Sequence, residues 1–224
     1  MEPLALAARE ELADRIRRRN PELSKKRILD AAESAFSSRG FGGARLRDIA
    51  QQAGVHHALV HHYFCDKRGL FEEVLRRGLT RIAELNEVRV GSGAPISQMM
   101  QRIVSPLYDF FADNRDLLRT IEGALRDREG VPFEVASSIL ASHFQPLIRQ
   151  LQAEIDAAQS RGEVRNDLSS RSLMLYGLCT LMTPFSLGAG LSQTLGLPRP
   201  GSGVREVAKA ELVALLGAAM APQL

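Results

Sequence analysis

Four of the five histidines in the chain, His56, His57, His61 and His62, fall within seven residues. Side chains of this type at this density suit two kinds of chemistry. His57 and His61 stand four apart, which on a helix puts both imidazoles on one face as half of a metal site. On an exposed helix the same rings would meet DNA, and each can gain a positive charge opposite phosphate as pH falls through about 6.5. Two ligands do not complete a metal site. Cys65 and Asp66 belong to the next turn, and no Cys, Asp or Glu stands at a helical spacing that would finish the set. DNA contact is therefore the favoured reading, with a histidine-centred helical metalloenzyme as the alternative.

The elements around the cluster explain how it would be presented. Upstream, LRDIAQQA puts Leu46, Ile49, Ala50 and Ala53 on one helical face and Arg47, Asp48, Gln51 and Gln52 on the other. Gly54 follows where a sharp turn needs positive φ, and Val55 supplies an apolar plug before a second helix starts at His56 or His57. In that helix Leu59, Val60, Tyr63 and Phe64 face the core, leaving His57, Ala58, His61 and His62 outward. A short exposed helix after a tight turn is the geometry of a helix-turn-helix that enters the major groove.

The block from Lys26 to Leu75 resembles the N-terminal domain of the TetR family of bacterial transcriptional repressors. The resemblance rests on ILDAAESAF for a first helix, RGF for the turn after it, RDIAQQAGV for the second, and YFCDKRGLFEEVL for the end of the third running into the fourth. Beyond Leu75 only length, helical periodicity and a loop like GEVRNDLS, Gly162 to Ser169, agree with the family's ligand-binding domain. The resemblance implies that Arg47 reaches a guanine edge, that His57, Ala58 and His62 face bases, and that Arg45, His61 and Lys67 hold phosphates. With His56 these make the expected DNA-binding set. Two positions depart from the family. Arg45 stands where a Ser or Thr usually caps the second helix, and arginine has no acceptor for the free N–H groups there. His61 replaces a Tyr that commonly contacts phosphate.

Charge runs the same way. Between Arg15 and Arg68 there are twelve Lys or Arg against five Asp or Glu, whereas the whole chain carries only +3. The densest part, RIRRRNPELSKKR from Arg15 to Arg27, reads either as an arm along the DNA backbone or minor groove, or as a solvated charged helix. The expected division is a basic extension over 1–23, a helix-turn-helix domain over 24–75 and a ligand-binding and dimerisation domain over 76–224.

At 224 residues the chain is long enough for a second core, and 45% hydrophobic content without Trp or strict alternation argues against a sheet. The expected fold class is all-α: an N-terminal three-helix DNA-binding domain with a larger C-terminal helical bundle. Helices are predicted over 67–89, 96–113, 115–127, 133–160, 170–190 and 204–220. Cys65 and Cys179, one per expected domain, together with no signal-peptide pattern, predict a reduced cytoplasmic protein. There is no nucleophile elbow, no phosphate-cradling loop and no complete metal set, so neither an enzyme nor a cofactor is expected. A nonspecific DNA-packaging protein fits the charge but has no need of the large second domain.

Pro106, Pro146 and Pro184 sit inside three predicted helices, where each removes a hydrogen bond and should kink the chain. The side chains nearby predict a cavity for a mainly hydrophobic small molecule, lined from Met99, Ile103, Leu107, Tyr108, Phe111, His143, Phe144, Tyr176 and Met182. His143, on the apolar face of the 133–160 helix, is a candidate only, since a lone histidine there is more often an ordinary core residue than a ligand group. From Ser172 to Pro198 there is no charge, but Gly, Thr, Ser and Pro dilute the hydrophobicity, so the segment reads as a helix that packs closely rather than one that spans a membrane. The last helix, striped by Val204, Val207, Leu212, Leu215 and Leu216, would pair with it. Two such helices per subunit predict a homodimer through a four-helix interface, bound to a double-stranded operator and released by a hydrophobic effector.

Overall fold

Leu23 N–H donates to the side chain of Asn20 over 3.1 Å, and Pro21 fills the first helical position, where no N–H is required. That cap opens α1 (Pro21–Gly43). The computed structural model describes residues 20–86, 96–126, 129–186, 194 and 205–222, and among them there is no strand. Pro21 to Arg27 are the first turns of α1, so the second half of the basic Arg15–Arg27 segment is helix rather than arm; Arg15 to Arg19 lie outside the described residues. The regular path of α1 breaks at Gly40, φ 67°, in the predicted RGF turn, and Ala44 N–H closes the end on the Gly40 carbonyl at 3.2 Å.

The reading pair follows as α2 (Leu46–Ala53) and α3 (His57–Phe64), then α4 (Lys67–Asn86). As the sequence predicts, α2 ends on Gly54 in the left-handed region, φ 63° and ψ 41°, with its N–H returned to the Ala50 and Gln51 carbonyls. Asp66 starts α4 by accepting the Gly69 N–H at 2.8 Å. Ile28, Ala32, Phe36, Ile49, Val60, Leu70, Phe71 and Val74 are buried, and the Phe71 ring meets Phe36 and Phe41 edge-on at 5.0 and 5.1 Å. Arg77 ties α4 to α1, donating to Asp30 at 2.6 Å and Glu33 at 2.5 Å. Its guanidinium is held above the usual arginine range by these two carboxylates, which outweigh partial burial.

The chain falls into two compact units, one comprising 1–77 with 120–137, the other 78–119 with 138–224. The division is thus not a single cut, because the stretch Thr120–Ser137 returns to the N-terminal unit. The remaining helices are α5 (Ile96–Asp113), α6 (Arg115–Arg126), α7 (Gly130–Ser160), α8 (Ser170–Ser186) and α9 (Arg205–Met220). Helix α7 begins three residues before its predicted start, since Pro132 in a first turn leaves no bond unmade. The predicted ends at 87–89, 127 and 187–190 and the predicted start at 204 lie outside the described residues.

Within the second unit one core gathers Met99, Ile155, Ala158, Val164, Leu173 and Met220, with Ile103 and Leu168 packed against it. The GEVRNDLS loop closes it. Arg165 N–H donates to the Met220 carbonyl at 3.0 Å, ending α9, while the Gln159 amide donates to the Arg165 and Leu168 carbonyls at 2.7 and 2.8 Å. Helices α5, α7 and α8 run on through Pro106, Pro146 and Pro184. The uncharged polar residues of α8 bond its own backbone: Thr180 to the Tyr176 carbonyl at 2.7 Å and Thr183 to the Cys179 carbonyl at 2.6 Å. Among the described residues no helix is long and apolar enough to cross a membrane.

Candidate nucleic-acid interface and effector region

Helix α3 buries Val60 and Phe64 and half-buries Leu59 and Tyr63, which leaves His57, Ala58, His61 and His62 exposed. Eight residues give two turns, so the face not taken by the core is displayed whole. His56 stands just before it, and its Nδ1 accepts the Ala58 N–H at 3.3 Å. An accepting nitrogen carries no proton, so in this geometry the His56 ring is a helix cap. His57 and His61 meet edge to face with ring centroids 4.7 Å apart, and His61 Nδ1 lies 2.8 Å from the Cys65 carbonyl, where its N–H donates. That bond supports a sharp exit, since Cys65 has φ 62° in the left-handed region. Among the described residues no three His, Cys, Asp or Glu side chains converge as a metal site.

Arg45 and Arg47 flank the start of α2, both exposed. Arg45 occupies the N-cap position with no side-chain bond to the helix, as its chemistry requires. Nearby, Arg39 pairs with Asp48 at 3.1 Å, bracing α1 against α2 on the same side of the turn. Lys67 is less free. Its ammonium donates to the Gly42 carbonyl at 3.2 Å and lies 4.7 Å from the Phe41 ring centroid, and burial pushes its pKa down. One of its three N–H donors is thus used on the turn after α1.

The expected effector residues separate into sets. Met99 and Ile103 belong to the Met99–Ile155–Leu173–Met220 core. Tyr108 and Phe111, both buried, instead join Phe185: the Tyr108 and Phe185 rings are 4.9 Å apart and tilted 65°, and Phe111 lies 6.2 Å from Phe185. Leu107, His143, Phe144 and Met182 are half-buried. His143 Nδ1 lies 3.0 Å from the Ile139 carbonyl of its own helix and 3.1 Å from the Ser142 hydroxyl, so one ring nitrogen is satisfied locally. Tyr176 does not join the buried set. It is 60% exposed on α8 beside Leu175 and Leu178, because the small and hydroxylated residues of α8 do not enforce a single apolar face.

Sequence reasoning missed Phe185, whose only signal is its place after Pro184, and a cross-helix ion cluster. Arg205 donates to Asp109 and Asp113, each at 2.9 Å, and Lys209 reaches Asp109 at 3.1 Å, joining α9 to α5. The Arg205 hydrogen bonds hold the Asp113 carboxyl below the usual carboxylate range. No local pattern foretells a pair ninety-odd positions apart in the chain.

A family model for bacterial regulatory proteins of the tetR family matches residues 28–74. The HTH-type transcriptional regulator BetI of Klebsiella pneumoniae is 33% identical over 89 residues, which are 39% of this chain and 46% of that protein. BetI of Paraburkholderia phytofirmans is 26% identical over 173 residues, 70% of this chain and 80% of that one. The chain thus aligns with less than half the length of the first of these relatives and most of the second. Among solved structures, the transcriptional regulator FadR from Bacillus subtilis, in complex with stearoyl-CoA, superposes with a TM-score of 0.66 at 17% identity, covering 87% of this chain and 98% of that one. At that identity the likeness shows a common fold.

Proposed function

We propose that the chain is a member of the TetR family of bacterial regulatory proteins, whose family model matches residues 28–74, and that it is a ligand-responsive, DNA-binding transcriptional regulator. It acts as a cytoplasmic homodimer that represses by occupying a near-palindromic operator. The observation that carries this reading is the exposed row Arg45, Arg47, His57, Ala58, His61 and His62, displayed by two short helices that bury Ile49, Ala50, Ala53, Val60 and Phe64. Arg47, His57, Ala58 and His62 read bases. Arg45, His61 and Lys67 hold phosphates, with Lys67 using the donors that Gly42 leaves over.

The dimer forms through α8 and α9. Leu175 and Leu178 on α8 and Val207 and Leu215 on α9 are exposed apolar side chains on the two helices expected to meet a second copy. An apolar effector enters the second unit and favours a state whose reading helices no longer match the groove spacing. A coupling of about 1 to 3 kcal/mol lowers occupancy roughly 5- to 150-fold.

Selection from a random duplex pool, with selected sites titrated against bulk DNA at fixed salt, tests the reading. A near-palindrome bound about 1000-fold above background is expected. Sequence-blind, salt-sensitive binding would instead favour the packaging protein.

A further inference from the structure

Tyr108 is 1% exposed, yet among the described residues its hydroxyl has no hydrogen-bond partner. A buried O–H left unpaired is destabilising, so native proteins rarely leave one without a reason. The Phe185 ring lies 4.9 Å from the Tyr108 ring, with Phe111 against Phe185 in turn. The two helices that bring these rings together are both weakened at this level. Pro106 lies two residues before Tyr108 on α5, and Pro184 immediately precedes Phe185 on α8. Each removes a backbone donor, and a turn lacking its hydrogen bond deforms more readily than an intact one.

We propose that the Tyr108 hydroxyl is the polar anchor of the effector site, and that the effector is an uncharged, largely apolar molecule carrying one hydrogen-bond acceptor, such as a ketone or ester oxygen. The inference rests on the ligand-responsive reading above and narrows its ligand class. Burial pushes the phenol pKa up, so the group stays protonated and serves as a donor, which calls for an acceptor. Among the described residues, the cations that act on the phenol, Arg205 and Lys209, are already matched by Asp109, Asp113 and Glu206, and Arg115 is not free either, so none of these three awaits an anion. Tyr108 donates to the acceptor, and Phe111 and Phe185 cover the apolar body.

Benzophenone and diphenylmethane nearly match in shape and differ in the carbonyl. Their equilibrium binding to the full chain, in wild type and Tyr108→Phe, reads the anchor directly. Wild type is expected to prefer benzophenone about 10-fold, the value of one net hydrogen bond, and Tyr108→Phe to bind the two equally. Tyr108→Phe should melt at the same temperature as wild type or higher, because it loses an unpaired group. Equal binding of both probes by wild type overturns the anchor and leaves an apolar site standing. A Tyr108→Phe chain that melts several degrees lower shows that the hydroxyl already has a partner, such as a trapped water, and also overturns it. If neither probe binds wild type, anchor and apolar effector site fall together, while the duplex selection above decides separately whether the chain reads DNA.

Discussion

Arg45 and His56 stand at equivalent places, one before each helix of the reading pair, and they meet the helix ends differently. His56 accepts an N–H through Nδ1 and caps α3; Arg45 has nothing to accept with and leaves α2 uncapped. Freed of that duty, the Arg45 guanidinium is available to phosphate. Arg47→Ala is expected to relax sequence preference and cost about 1 to 3 kcal/mol on the best site, whereas Lys67→Gln weakens all sequences alike and lowers the salt slope by about 1; titrations on selected and scrambled duplexes separate the two. Exposure of His57, Ala58, His61 and His62 was legible from helical spacing alone. The capping role of His56 was not, since it depends on a ring rotamer that no periodicity encodes.

At the level of elements, helix ends were the most readable feature, because their causes are local. Gly54 and Pro21 announce a stop and a start by backbone chemistry, and both act at their own positions. Approaches between distant segments have no such announcement. Gly78 on α4 faces Leu117, itself buried, so closely that an added Cβ would fall within the leucine side chain. Gly78→Ala should destabilise by about 1 to 3 kcal/mol through overpacking, despite the better helix propensity of alanine, as chemical unfolding would reveal. The Arg205 cluster makes a second case. With the Asp113 pKa depressed in the folded chain, the stability it contributes is fully present above the ordinary aspartate pKa of about 3.9 and is lost as pH falls through the lower folded value. Arg205→Gln should therefore flatten the acid side of the stability curve, with a modest effect because Asp113 is largely exposed. An unchanged acid limb in Arg205→Gln would mean that the pair carries no linkage.

For the whole molecule, the question is what covers α8 and α9. Leu175 and Leu215 are each 58% exposed in the single chain, an unusual state for leucines on helices that otherwise build a core. A charge placed there by Leu215→Glu should shift the proposed dimer to monomers in sedimentation. It should also weaken a palindromic site far more than a half-site, since the two reading helices lose their common frame. Dimers that persist with unaltered operator affinity would place the interface elsewhere. By itself the sequence determined the all-helical class, the helix-turn-helix with its outward face, and the ends of most helices, because propensity, caps and periodicity act within a few residues of one another. Only the tertiary structure decided that Tyr108 is buried without a partner among the described residues while Tyr176 is exposed, that Thr120–Ser137 belongs with the N-terminal unit, and that Arg205 answers Asp109 and Asp113. These depend on which helix faces pack together, and that choice is made by shape and charge across the chain rather than along it.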